Sequence, residues 1–234
     1  MPVAVITGAS KGLGRALSLS LASRGWVLVI DARNTFDLKR VAEQAREAGA
    51  ADVVPVTGNV AEPEHRLELR DVATELGPLD LLVNNASMLG PSPMPRLADY
   101  PLDQLEQVLA VNVLAPLALT QLLAPSLRAV PGRIVNVTSD AAVEPYAGWG
   151  GYGASKSALE QMSAILGAEE PAIRVYVFDP GDMRTDMHQA AFPGEDISDR
   201  PLPETVVPAL LRLVDDDLPS GRYRSAVLGE VQVA

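Results

Sequence analysis

The strongest constraint on the fold of this chain is a set of short, unbroken apolar runs at regular intervals. They read "VAVI" (3–6), "VLVI" (27–30), "DVVPV" (52–56), "LDLLV" (79–83), "RIVNV" (133–137), "IRVYV" (173–177) and "RSAVL" (224–228). A strand with one wet face alternates apolar and polar residues, whereas runs apolar at nearly every position must be covered on both faces. Stretches of helical period lie between them, such as "GRALSLSLASRG" (14–25), "DLKRVAEQAREAG" (37–49) and "HRLELRDVATELG" (65–77). These end on Gly25, Gly49 and Gly77, the residue type favoured just past a helix C-terminus. Strand–helix alternation throughout predicts an α/β fold: a doubly wound parallel sheet with helices on both faces, one domain over residues 1–234. The segment 187–203, "MHQAAFPGEDISDRPLP", breaks the period with three prolines and is expected to be a loop, either over a ligand site or as a plain connector.

A chain of 234 residues can bury a core of that size in one domain, and 47 % apolar with 21 % charged residues is a globular composition. A net charge of −11 argues against a nucleic-acid partner, which needs clustered Lys and Arg. With no cysteine, disulfides, thiolate chemistry and zinc–thiolate sites are excluded. Only His65 and His188 remain as imidazoles, in unrelated contexts, so no metal site is expected. The N-terminus lacks a signal-peptide pattern, and no apolar run is expected to reach the ~18–20 residues of a membrane span. The expected setting is cytoplasmic, without a membrane partner.

"TGASKGLG" (7–14) follows the first strand and opens into a helix. Glycines at 8, 12 and 14 permit a sharp turn and close approach of a pyrophosphate to a helix N-terminus, where free N–H groups favour negative charge. The second strand runs into "DARN" (31–34), where a dinucleotide fold reads the adenosine ribose. Asp31 could accept a bond from a 2′-hydroxyl and select NAD. Arg33 could pair with a 2′-phosphate and select NADP, joined by Lys11 from the glycine loop; NADP(H) is favoured, NAD(H) possible. Further along, Tyr152 and Lys156 in "YGASK" share one face of a helix starting near Gly151, with Ser139 thirteen residues upstream of the tyrosine. An ammonium about 4 Å from a phenol, at an effective dielectric near 20, favours the phenolate by roughly 4 kcal/mol. On that reckoning Lys156 brings Tyr152 toward neutrality as an acid–base group.

The residues together resemble the short-chain dehydrogenase/reductase family in its single-domain branch. The resemblance rests on "TGASKGLG", "NNAS" (84–87), Asn112 in "LAVNVLAP", Ser139 in "VNVTSD", "YGASK" (152–156) and "DPGDMRT" (179–185), in the family's order along essentially the whole chain. It implies strand order 3-2-1-4-5-6-7 and catalysis by Asn112, Ser139, Tyr152 and Lys156, with Asn112 anchoring water in a proton relay. It also implies cofactor contacts from Thr7, Gly8, Ser10, Lys11, Gly12, Leu13, Gly14, Asp31, Arg33, Asn59, Val60, Asn84, Ala86, Tyr152, Lys156, Pro180, Gly181, Met183 and Thr185. Three features depart from the family pattern. Ser87 stands where a glycine is usual, Asn59 where an aspartate is usual, and the C-terminal "GEVQVA" lacks the glycine-rich tail that makes one common tetramer contact.

By family position and chain proximity, the substrate pocket is expected to be walled by Met88, Leu89, Ala142, Val143, Tyr146, Trp149, Met183, Met187 and Phe192. That lining suits a mainly apolar ketone, aldehyde or diketone. His188 reads either as a surface residue or as a substrate ligand. The implied function is an NADPH-dependent carbonyl reductase, reversibly an alcohol dehydrogenase. The alternatives are an NAD-linked short-chain dehydrogenase and a non-catalytic NADP-binding redox sensor. The apolar excess of the long helix expected over 102–130 implies a homodimer or homotetramer.

Overall fold

The structure, a computed structural model, describes residues 1–229. Strands β1 (Val3–Ile6), β2 (Val27–Ala32), β3 (Asp52–Thr57), β4 (Leu81–Asn84), β5 (Arg133–Val137), β6 (Arg174–Asp179) and β7 (Gly221–Arg224) form one sheet. All pairs are parallel, in the order β3-β2-β1-β4-β5-β6-β7. The helices are α1 (Gly12–Ala22), α2 (Thr35–Ala48), α3 (Pro63–Leu76), α4 (Leu102–Leu109), α5 (Ala115–Arg128), α6 (Gly150–Glu169), α7 (Asp186–Ala191), α8 (Val207–Asp215) and α9 (Ser225–Gly229).

The central strands are buried at every position because each successive side chain meets a different helical layer. Ala4, Ile6, Leu28 and Ile30 pack against Leu17 and Leu21 of α1, Leu38 of α2 and Leu210 of α8. Val3, Val5, Val27 and Val29 point to the other face, against Leu69 of α3 and Leu119, Leu123 and Leu127 of α5. Each fully buried leucine of this kind stabilises the fold by about 1.5–3 kcal/mol. The edge strands β3 and β7 show mixed exposure, and β5 and β6 each open on a half-buried arginine.

Four sequence expectations need correction. "RSAVL" is not the last strand: β7 ends at Arg224, and the apolar residues that follow wind into α9, which seats Leu228 in the core with α8. The segment 187–203 is not wholly loop, since α7 runs from Asp186 and is capped by Thr185, whose hydroxyl accepts the His188 N–H at 3.2 Å. The long helix is interrupted by one π-helical turn, Ala110–Leu114, between α4 and α5. Finally, Leu102–Arg128, 27 residues, is long and apolar enough to cross a membrane by length and composition. Half of its most apolar window is buried, however, and α5 contributes its leucines to the layer shared with α3, as a core helix does. Of the C-terminal "GEVQVA", residues 230–234 lie outside the described residues.

Candidate active site

The carboxyl ends of β1, β2, β4, β5 and β6 open into a cleft of about 950 Å³. Its floor at one end is the glycine loop. Gly8 and Gly12 take positive φ, 66° and 56°, which a side chain would strain. A Cβ at Gly14 would stand 2.5 Å from both Asn85 Nδ2 and the Gly8 carbonyl oxygen. The loop is clamped from β4. Asn85 Nδ2 donates to the carbonyls of Thr7 (2.8 Å) and Gly8 (3.1 Å), and Thr7 Oγ1 accepts the N–H groups of Asn85 (3.1 Å) and Ala86 (3.0 Å). No side chain caps the start of α1, so its first N–H groups stay available to an anion. The cradle therefore fits the diphosphate of a nicotinamide dinucleotide. Ser10, Lys11, Gly12 and Leu13 border the cleft, as do Asn59, Val60, Ala86, Pro180, Gly181, Met183 and Thr185.

Two charged candidates behave unexpectedly. The Asp31 carboxylate is 1 % exposed and turned under the loop, with Oδ1 2.6 Å from His65 Nε2 and Oδ2 accepting the Gly8 N–H at 3.4 Å. Burial pushes its pKa up against the pull of the imidazole, and the bond to Asp31 in turn raises that of His65. Lys11 does not join Arg33. Its Nζ lies 2.7 Å from Asp186 Oδ2 at the head of α7. Arg33 borders the cleft and makes no ion pair among the described residues.

At the other end stand Ser139, Tyr152 and Lys156. Ser139 stands two residues past the end of β5. Its Oγ donates to Asp140 Oδ1 (2.9 Å), whose second oxygen accepts the Tyr146 hydroxyl (2.9 Å). Tyr152 and Lys156 lie one turn apart on α6, with the ammonium 5.5 Å from the phenol ring centroid and donating to the Val137 carbonyl at 2.9 Å. The expected easy ionisation is absent in the chain by itself. Burial pushes the Tyr152 phenol up to about 12, while the Ser87 and Ser139 hydroxyls pull it the other way. Burial likewise lowers Lys156 to about 8. Desolvation disfavours the charged form of each, so the phenol keeps its proton.

Apolar side chains gather beside this trio. Leu89, Ala141, Tyr152 and Ala191 form a small cluster with Met94, Trp149, Met187 and Phe192 packed on it. Trp149 meets Tyr152 edge-on at 5.9 Å. Of the expected walls, Met88, Leu89, Trp149, Met183 and Met187 border the cleft, while Ala142, Val143, Tyr146 and Phe192 do not. His188 borders it too, with its Nε2 buried and without a hydrogen-bond partner among the described residues, and its Nδ1 3.8 Å from Asp182.

Thr7, Gly14, Asn84 and Asn112 support the cleft from behind rather than border it. Asn84 Nδ2 donates across the sheet to Asn136 Oδ1 at 2.7 Å, and the neighbouring Asn85 faces the loop instead. Asn112 occupies the π turn. Its amide donates to the Met88 carbonyl (2.8 Å) and Ser155 Oγ (2.9 Å), and its Oδ1 accepts from Met88 N (2.8 Å) and Ser87 Oγ (3.2 Å). Sequence reasoning missed Asn85, His65 and Arg222. Arg222 bonds Asp179 Oδ2 (2.9 Å), Glu160 Oε1 (3.0 Å) and the Ser139 carbonyl (3.4 Å), while Asp179 Oδ1 accepts the Gly181 N–H (3.0 Å). A carboxylate at a buried strand end requires a cation or several donors, which was a legible signal at both Asp31 and Asp179.

A doubly wound parallel sheet, a glycine loop before its first helix and a Ser–Tyr–Lys trio at the strand ends define a nicotinamide-dependent oxidoreductase. The family model for short chain dehydrogenases matches residues 2–196, and this chain belongs to that family. It is 33 % identical to 11-beta-hydroxysteroid dehydrogenase A of Sesamum indicum over 97 % of this chain and 66 % of that one. It is 32 % identical to Mus musculus sepiapterin reductase (81 % and 77 %) and to the Bacillus subtilis benzil reductase ((S)-benzoin forming) (80 % and 76 %). Among solved structures, a short chain dehydrogenase from Pseudomonas syringae superposes with TM-score 0.90 at 31 % identity, covering 96 % and 94 %. One from Shigella flexneri, complexed with NADP, gives 0.89 at 29 % identity, covering 96 % and 97 %.

Proposed function

We propose that the chain is an NADPH-dependent carbonyl reductase, reversibly an alcohol dehydrogenase, acting on a mainly apolar ketone, aldehyde or diketone. The observation that carries this reading is the buried Tyr152 phenol, bracketed by Ser87 and Ser139 and walled by Leu89, Trp149 and Met187, at the end of a dinucleotide-sized cleft. The nicotinamide, when bound, supplies or accepts a hydride at the substrate carbon.

The chain's residues then handle the oxygen. Ser139 Oγ and the Tyr152 hydroxyl face the carbonyl oxygen and stabilise negative charge as it grows there, and Tyr152 passes its proton to that oxygen. A phenol kept protonated by burial is the form needed for reduction. Lys156, a cation 5.5 Å from the ring, favours loss of that proton once the alkoxide demands it. Asn112 holds the strand-end loop at Met88 and the start of α6 at Ser155, fixing Tyr152 relative to β4.

NADPH over NADH is supported by the charge left facing the adenosine end: Asp31 is engaged beneath the loop, and Arg33 borders the cleft. The NADP in the Shigella neighbour and the benzil named for the Bacillus relative agree with the cofactor and the substrate class. A panel of aliphatic ketones, aromatic ketones and 1,2-diketones, assayed with NADPH and NADH by loss of reduced-cofactor absorbance, tests the reading. Turnover of apolar carbonyls with NADPH preferred is expected. Tight NADPH binding with no oxidation across the panel would favour a redox sensor and overturn the enzymatic proposal.

A further inference from the structure

Three consecutive residues carry the end of β5 into the site, and each is held by a different side chain. Lys156 Nζ donates to the Val137 carbonyl (2.9 Å), Thr138 Oγ1 donates to Glu160 Oε1 (2.7 Å), and Arg222 Nη2 donates to the Ser139 carbonyl (3.4 Å). Glu160 stands one turn past Lys156, on the same face of α6. Arg222 reaches in from the edge strand β7. Its Nε donates to both Glu160 oxygens (3.0 and 3.2 Å), and its Nη2 donates to Asp179 Oδ2 (2.9 Å). Asp179 is 3 % exposed, so water screens its charge poorly. Two carboxylates thus converge behind the Tyr152–Lys156 pair, and one guanidinium bridges them. Arg224 also faces Asp179, at 3.8 Å, but from an exposed position.

We propose that Arg222 is a positioning residue for the reaction: it ties α6 to the segment that carries Ser139 and cancels the acid charge standing behind Tyr152 and Lys156. The inference rests on the carbonyl reductase reading and deepens it. Each acid acts on one member of the pair. Glu160 favours the charged form of Lys156 against burial, and Asp179, together with Asp140 beyond β5, disfavours the Tyr152 phenolate. Left uncancelled, these charges hold protons on both groups and oppose proton transfer in the direction of alcohol oxidation. A guanidinium suits the position because its planar fork meets two carboxylates and a carbonyl at once, which an ammonium on a flexible stem does not.

The test reads Lys156 directly. Lys11, Lys39 and Lys156 are the only lysines in the sequence, so nuclear magnetic resonance of protein carrying isotope-labelled lysine follows the titration of Lys156 near 8 without substrate. Its signal is assigned by loss in Lys156→Met. In Arg222→Gln the midpoint rises by about one pH unit, the effect of one uncancelled charge at roughly 10 Å and an effective dielectric near 20. In Glu160→Gln it falls, and this variant, which keeps Arg222 for Asp179, carries the test should Arg222→Gln not fold. The double variant Arg222→Gln/Glu160→Gln returns toward the wild-type midpoint. With NADPH and the carbonyl that wild type reduces fastest, turnover in Arg222→Gln falls by about 10–10²-fold, while NADPH affinity by fluorescence titration stays near wild type. A midpoint unmoved in both Arg222→Gln and Glu160→Gln, or a wild-type rate in a folded Arg222→Gln, overturns the role of Arg222. Wild-type protein that reduces no carbonyl of the panel overturns the reductase reading instead, an outcome the substrate-free lysine titration keeps separate.

Discussion

At the scale of single residues, the site turns on how one phenol keeps and gives up a proton. Tyr152→Phe removes the hydroxyl proposed to protonate the substrate oxygen. Turnover should drop by about 10²–10⁴-fold while NADPH titration by fluorescence stays near wild type. Ser87, where the family usually carries glycine, is the first of two hydroxyls that pull the Tyr152 pKa down. Ser87→Gly should therefore move the midpoint of the pH–rate profile for alcohol oxidation to higher pH, since that direction needs the phenolate. An unmoved midpoint would show that the hydroxyl does not act on Tyr152. The tyrosine and lysine were legible from their spacing, but the sign of the phenol's shift was not. Spacing reports which groups are neighbours, and burial, which here pushes the phenol up, depends on Trp149, Ala141 and Leu89 arriving from other segments.

Between elements, the ties that shape the cleft run across long stretches of sequence. The Asp31–His65 pair fastens β2 to α3, with Glu68 on the far side of the ring and Arg33 acting on the acid from β2's exit. The folded His65 titrates above its ordinary 6.5. Its contribution to stability is complete below that value and is lost as pH rises through the higher folded one. The raised Asp31 acts in the same direction, because it too holds its proton more tightly when folded. The melting temperature should accordingly fall as pH rises above about 6.5, and His65→Gln, which takes up no proton there, should flatten that decline. The Lys11–Asp186 pair between the glycine loop and α7 is different in kind. Both partners are exposed, and such pairs contribute about 0–1 kcal/mol.

For the whole molecule, the apolar surface left over by the fold is the open question the helices pose. Leu102 and Leu114, on α4 and in the π turn, are 73 % and 58 % exposed although the layer beneath them is filled. Contact between copies through this helix predicts a homodimer or homotetramer by light scattering, and Leu114→Glu should shift it toward monomer. A parallel sheet covered on both faces needed no coordinates, because continuous apolar runs admit only burial on both faces, whereas its strand order came from the family resemblance that the six motifs carry. The apolar run at 224–228 misled because a helix and a buried strand satisfy the same composition, and α8 decided between them. Sequence by itself determined which residues stand at the strand ends, since local backbone preference and periodicity fix that. Only tertiary structure decided what each charge there faces: Asp31 found His65 thirty-four residues on, Lys11 found Asp186, and Asp179 found Arg222. Electrostatic partners are set by distance through space, which the fold creates and no local pattern encodes.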